Sequence, residues 1–496
     1  MIRGKRVSRL LLILTFAPVI GALMIESELP ASTRAIAAVL WVLCLAPALA
    51  YSGQDPRIRR PLPFLPSIGI AFGLYFVLPV VLGAYNRYLT IALDPRTDYD
   101  FPVQLALIGW ILLVAAYFLV GEFWSRVSIH RVKMAWNQSR IVFWGFTLLY
   151  GAFALTGIKA LFMTNGFSPA IMQFILSLQW LGIAFLTVAK TRKLLGRLNI
   201  VFFAIGTGTS IGLTLASGSM APMVQMATVV GYALFLSGTR IKARWLIAGL
   251  VVLAVAMSAR GVATEFREAT WLSEVKLTPV QRTQLMVNLL KKRSEDEGLG
   301  ATLYHGAKTT FERSADMDLF ADIVKRTPSE IPYWEGDTYK SLVGAVIPRL
   351  LWPDKPTKEI GQAFGHRYGY LRWSNLVTSI NLPFLVEFYL NFGFMGVLVC
   401  MMVVGAIYRT LDELVNHPDQ DLLTSLIGVI ILVPLIMLES DFSLTFGGLI
   451  LNGFALLTVS TVIRSSRRLG SRVRSPAYSA LGNATAAMRR THRARS

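Results

Sequence analysis

The sequence Ile347-Pro348-Arg349-Leu350-Leu351-Trp352-Pro353-Asp354-Lys355-Pro356 sets two cations, Arg349 and Lys355, among apolar and aromatic residues. A guanidinium makes two parallel hydrogen bonds to phosphate oxygens and an ammonium adds a point charge. The spacing therefore suits a grip on a phosphate at the edge of a lipid layer. The plainer reading is an anchor pair, with stems along apolar surface and charges reaching for water. Arg260 and Arg267, two helical turns apart, either join that cluster or are ordinary flanking charges.

Glu387 is a carboxylate about one turn inside an apolar run, with Asn391 four residues on and so on the same helix face. Such a group either takes a proton from a hydroxyl as a general base or makes a structural bond to a neighbouring helix. The sequence leaves both open. Glu439 and Asp441 are runners-up for the same role. His305 and His366 are the only histidines of the hydrophilic stretch around these residues, and neither has metal-ligand spacing. The pairs Asp98/Asp100, Asp316/Asp318 and Asp419/Asp421 have the Asp-x-Asp form that holds divalent cations in many sugar transferases, but they read better as solvated acids. A Walker loop, a dinucleotide fingerprint and a nucleophile elbow are all missing, which argues against nucleotide-driven chemistry. No metal or cofactor is expected.

These residues sit in, or beside, one hydrophilic segment from Ser258 to Asn381, within a chain that is otherwise built to be buried. Of 496 residues 54% are hydrophobic and only 16% charged, which places most of the chain in hydrocarbon. Apolar runs near 10–25, 35–51, 63–84, 103–121, 141–161, 169–189, 199–216, 222–236, 245–257, 384–407, 422–438 and 442–463 predict an all-α integral membrane protein of about twelve spans. The division is nine spans over 1–257, the large loop over 258–381, three spans over 382–463, and a basic tail over 464–496 expected to be disordered.

Net charge is +20, yet 28 of the 49 Lys and Arg fall in the N-terminus, the even-numbered connections and the tail. The odd-numbered short connections hold only Arg34, Arg87, Arg96 and Lys159. This is positive-inside patterning, with both termini cytoplasmic and the large loop outside; it orients the chain on anionic lipid and excludes a nucleic-acid footprint. The connection 408–421 runs against the pattern, because Asp412, Glu413, Asp419 and Asp421 outweigh Arg409. The first span resembles a signal peptide, without a convincing cleavage site after it. Cys44 and Cys400 lie in apolar runs and the loop has no cysteine, so disulfides are not expected there.

Inside the loop, Thr278-Pro279 opens a helix that runs to Lys291-Lys292-Arg293, followed by a hinge at Ser294 to Gly300. A second amphipathic helix is expected over 301–326, and Tyr333 to Trp352 is expected to lie in the interface plane as a short aromatic-anchored helix.

Taken together, Tyr333-Trp334-x-Gly336-x-x-Tyr339, Ile347-Pro348-Arg349-x-Leu351-Trp352-Pro353-x-Lys355-Pro356, Thr378-Ser379 and Glu387-Phe388-Tyr389-Leu390-Asn391-Phe392-Gly393-x-x-Gly396 resemble the Wzy-type oligosaccharide repeat-unit polymerases, also called O-antigen polymerases. The resemblance covers about 330–410; elsewhere it is one of topology. It implies a membrane glycosyltransferase fold of the polymerase/ligase type. It also implies metal-independent transfer from a polyprenyl-pyrophosphate-linked oligosaccharide at the outer face of the bacterial cytoplasmic (inner) membrane, with a chain-length regulator as partner. Arg349, aided by Arg260, Arg267 or Lys355, would then meet the diphosphate. Glu387 or His366 would activate the acceptor hydroxyl, and Tyr339 and Asn391 would be further substrate contacts. A lipid-linked oligosaccharide flippase or transporter, and an O-antigen ligase, are the competing readings.

Overall fold

The computed structural model describes residues 11–20, 29–55, 59–82, 98–127, 140–162, 169–219, 221–238, 249, 251, 254, 256–259, 261–271, 277–313, 315–342, 360–376 and 378–472. Arg260, Arg349 and Lys355 lie outside them, as do most of the expected span 245–257 and residues 343–352 of the expected interfacial helix.

The described residues are helical, with no strand among them. Eight helices are long and apolar enough to cross a membrane. In the numbering used below the apolar helices of the first half are α1 (Leu11–Ile20), α2 (Ala31–Gly53), α3 (Phe64–Val81), α4 (Asp100–Arg126), α5 (Ile141–Phe162), α6 (Pro169–Thr191), α7 (Arg197–Ser217) and α8 (Ala221–Leu236). The hydrophilic segment carries α9 (Ala263–Trp271), α10 (Pro279–Glu297), α11 (Leu299–Arg313), α12 (Asp316–Arg326) and α13 (Ile360–Arg367). Three apolar helices close the chain: α14 (Phe384–Val415), α15 (Leu422–Leu435) and α16 (Phe442–Arg472). Of these α1, α8 and α15 are shorter than a full crossing.

The helix of Thr278-Pro279 forms as its sequence predicts. Thr278 and Gln281 make a reciprocal capping box, with the Gln281 amide donating to the Thr278 hydroxyl and the Gln281 side chain accepting from the Thr278 amide. It runs into the expected hinge and stops within it at Gly298, whose φ is 84°. The helix expected over 301–326 is instead two, α11 and α12, separated after Arg313.

The core is built on α4 packed along α14, with α5 against α6 and α2 against α3. Gly405 of α14 lets the two backbones touch, since a Cβ there would fall on the Leu113 carbonyl oxygen of α4. Without a hydrophobic force between helices in lipid, small residues that permit such contact carry the association.

Two of the acids expected in an open connection are interior. Asp412 and Glu413 are buried on α14. Arg60 pairs with Asp412 at 3.1 Å, Arg409 bonds Glu413 at 3.2 Å, and Asn416 donates to Asp412 at 2.6 Å while bonding both backbone groups of Leu62. The Tyr117 hydroxyl of α4 also donates to Asp412. Paired and hydrogen-bonded in this way, the two charges are tolerable away from water.

The reading of the Asp-x-Asp pairs as solvated acids fits the exposed Asp98 and Asp419 and is corrected for Asp316/Asp318. Asp316 and Asp318 are 4% and 1% exposed in the first turn of α12, with the Tyr99 hydroxyl donating to Asp318 at 3.0 Å. Their position favours the positive end of the helix dipole. Asp421 caps α15 through the Thr424 amide at 2.8 Å and pairs with Arg464 at 2.6 Å.

Candidate functional site

Gly393 interrupts α14 with φ 62° and ψ −147°, a conformation that costs a side chain dearly and glycine little. The break frees backbone carbonyls of the preceding turn, and a distant segment takes them. The amides of Trp334 and Glu335 donate to the carbonyls of Leu390 and Asn391 at 3.0 and 3.3 Å. A Cβ on Gly393 would also collide with the Tyr333 phenol. The Tyr333–Tyr339 stretch is therefore seated on the break and closes with a short 3₁₀ turn at Asp337–Tyr339 that passes into helix at 340–342; residues 343–352 of the expected interfacial helix lie outside the described residues.

Asn391 ties this contact together. Its Oδ1 accepts from the Gly336 amide at 2.9 Å, and its Nδ2 donates to the Thr338 hydroxyl and to the Glu387 carbonyl, both at 2.8 Å. With 1% exposure it is a structural bracket with no access to substrate in this conformation.

Glu387 is buried completely. Its Oε2 accepts from the Phe442 amide at 2.6 Å, the first residue of α16, so the carboxylate sits at a helix N-terminus where unpaired amides welcome an anion. Oε1 has no hydrogen-bond partner among the described residues, and Thr338 lies beside the carboxyl without a bond of ordinary geometry to that oxygen. Of its two sequence readings, the bond to a neighbouring helix is the one the geometry displays.

Tyr339 packs its ring face against Phe392 and edge-on to Phe442, at centroid distances of 6.0 and 5.8 Å. Its hydroxyl is enclosed. Burial, and then the nearby Glu387 charge, push its ionisation far above the ordinary phenol range, so it stays neutral.

His366 stands differently. It is partly exposed at the end of α13, its ring lies 5.0 Å from that of Trp373, and its Nε2 faces the Asn375 carbonyl oxygen at 3.0 Å. A carbonyl can only accept, so Nε2 holds the proton and Nδ1 of the neutral ring is left as an acceptor.

Two residues not singled out by the sequence join α13 to the break. Arg367 donates to the Pro332 carbonyl at 2.7 Å and lies over the Trp334 ring at 4.7 Å. Tyr368 bonds Thr327 at 2.6 Å, and its carbonyl accepts from Arg326 at 2.8 Å. Burial opposes the charge of Arg326, but the adjacent Asp322 more than offsets it and holds the guanidinium protonated. Thr378-Ser379 reaches the same assembly through the Ile380 amide, which donates to the Gly361 carbonyl at 3.1 Å. An aromatic-glycine segment opposite an interrupted apolar helix is the signal that could have found this junction; Arg367 offered none.

Arg267, on α9, is half-buried and stands in another part of the fold, where α9 packs on α10. The structure thus groups Tyr339, Glu387 and Asn391 tightly and links His366 to them through Arg367.

No curated protein and no solved structure matches the chain. Its residues 133–418, more than half of its length, match the model of DUF8712, a domain of unknown function, and the chain belongs to that family.

Proposed function

We propose that this chain is a twelve-span glycosyltransferase of the inner membrane that polymerises polyprenyl-pyrophosphate-linked oligosaccharide repeat units at the outer face, without a metal. The observation that carries the reading is the junction itself. Tyr333–Tyr339 and the Glu387–Gly396 stretch, which bear the resemblance and lie about fifty residues apart in sequence, are held together by hydrogen bonds at one end of a broken apolar helix.

In the proposed reaction an acceptor hydroxyl oxygen attacks the anomeric carbon of the donor, and the bond from that carbon to the pyrophosphate breaks, the electron pair leaving with the pyrophosphate. His366 Nδ1 takes the hydroxyl proton. Arg349, with Lys355 and Arg260 in support, neutralises the charge gathering on the leaving group, which removes the need for a divalent ion. Glu387, Asn391 and Tyr339 hold the surface on which the glycan lies.

The test is incubation of the purified full-length protein with a synthetic polyprenyl-pyrophosphate repeat unit, with and without chelator. A ladder of products that chelator does not shorten supports the proposal. Absence of any ladder from well-folded protein, or a ladder unchanged in Arg349→Ala, overturns it. The broken helix also favours a second reading, since interrupted helices serve transporters. Movement of the intact substrate across a liposome, with no ladder, would give the chain that function.

A further inference from the structure

A crevice of about 350 Å³ opens between the end of α7 and the start of α10, away from the junction described above. Leu213, Ala216, Leu277 and Pro279 give it apolar walls, and Ser217 and Arg282 are its polar residues. The Nε of Arg282 is closed off from solvent without a hydrogen-bond partner among the described residues. Arg282 is the one charged residue of that lining, half-buried beside apolar walls, which suits an anionic acceptor.

Depth identifies that ligand. The Thr283 hydroxyl of α10 donates to the Gly212 carbonyl of α7 at 3.1 Å. Gly212 lies five residues before the end of α7, so this first turn of α10 sits roughly 7 Å down an apolar helix. α7 is one of the helices able to span the membrane, and it ends at Gly218 in the left-handed conformation. Arg282 is thus placed at the boundary between hydrocarbon and head groups. On the same helix Val280 and Val287, seven residues apart on one face, are 68% and 50% exposed, as suits a face turned to acyl chains.

We propose that the crevice binds the phosphodiester of an anionic phospholipid. The Arg282 guanidinium donates to two phosphate oxygens, the acyl chains lie along Leu213 and Ala216, and the lipid pins α10 and the segment it begins to the membrane surface. The site is independent of the proposed reaction, and the proposal stands or falls without it.

The full chain in nanodiscs of equal parts phosphatidylglycerol and phosphatidylcholine, released gently and weighed by native mass spectrometry, tests this. Wild type should retain one phosphatidylglycerol. Arg282→Gln should lose it, Arg282→Lys should keep it in part, and Leu213→Trp, which fills the crevice and leaves Arg282 in place, should also lose it. Loss of the charge-assisted pair should make short-chain phosphatidylglycerol about tenfold weaker as a competitor. Equal retention by wild type and Arg282→Gln, or preference for neither lipid by wild type, would overturn the proposal. Displacement by inorganic phosphate as readily as by short-chain lipid would assign the crevice to a free anion and overturn it too.

Discussion

Substitution of Glu387 separates its two possible roles, because Ala and Gln remove different things. Glu387→Ala deletes the only acceptor seen for the Phe442 amide and leaves a buried donor unpaired. That loss costs about 1–3 kcal/mol, and the void left by the side chain adds about 1–2 kcal/mol, for a total of roughly 2–5 kcal/mol. Glu387→Gln keeps an oxygen for the same amide and removes a charge from a site with no exposure, so its stability should match wild type within about 1 kcal/mol or exceed it. Thermal unfolding of the detergent-purified protein, followed by tryptophan emission, gives the comparison; product ladders give the second readout. With His366 as base, Glu387→Gln should unfold like wild type and still build polymer. A Gln variant as unstable as Ala would show that charge, beyond the acceptor, holds α16. A stable Gln variant without polymer would return the proton-accepting role to Glu387.

Gly393→Ala should lower stability by about 2–4 kcal/mol, through a forbidden backbone conformation and the collision with Tyr333, and Tyr333→Ala in the same chain should recover the steric part, which melting curves would resolve. His366→Gln should abolish the ladder at unchanged unfolding temperature, whereas Arg367→Ala should weaken both, since it ties α13 to Trp334. Arg60→Ala should cost about 3 kcal/mol by leaving Asp412 short of charge, and adding Asp412→Asn should cost less than the sum of the two, as a double-mutant cycle would show. Asp441 is held above the usual carboxylate range by burial, against the bond from the Leu444 amide, so the folded state binds its proton more tightly than the unfolded state. Its contribution therefore falls as pH rises from the unfolded to the folded pKa, and Asp441→Asn, which retains the cap, should flatten the pH dependence of unfolding in that window.

What could be read from the sequence was what nearest neighbours decide. Apolar runs located the long helices because spanning requires length and composition alone, and Thr278-Pro279 fixed the start of α10 because a capping box is local. The break between α11 and α12 has no glycine or proline to mark it; it shows only as a slip in phase between Phe311 and Ile323. The buried acids were misread for a different reason. Asp318 is answered by Tyr99 and Asp412 by Arg60, partners 219 and 352 residues away. Nothing in an Asp-x-Asp pattern tells a solvated acid from one paired across such a distance.

The same distances explain why α14 can hold a site still. At one end its Asp412 and Glu413 are locked to Arg60 and, through Tyr117, to α4; along its middle Gly405 lies directly on the α4 backbone; at the other end Gly393 opens to receive Trp334 and Glu335. A helix fixed against one neighbour along most of its length transmits little movement from a charge change at its far end. Arg60→Ala should accordingly lower the unfolding temperature without shortening the ladder at temperatures where the protein stays folded. Shortened products from folded Arg60→Ala protein would mean that α14 shifts as a unit, and that the seat of the Tyr333–Tyr339 segment depends on the charge cluster at its opposite end.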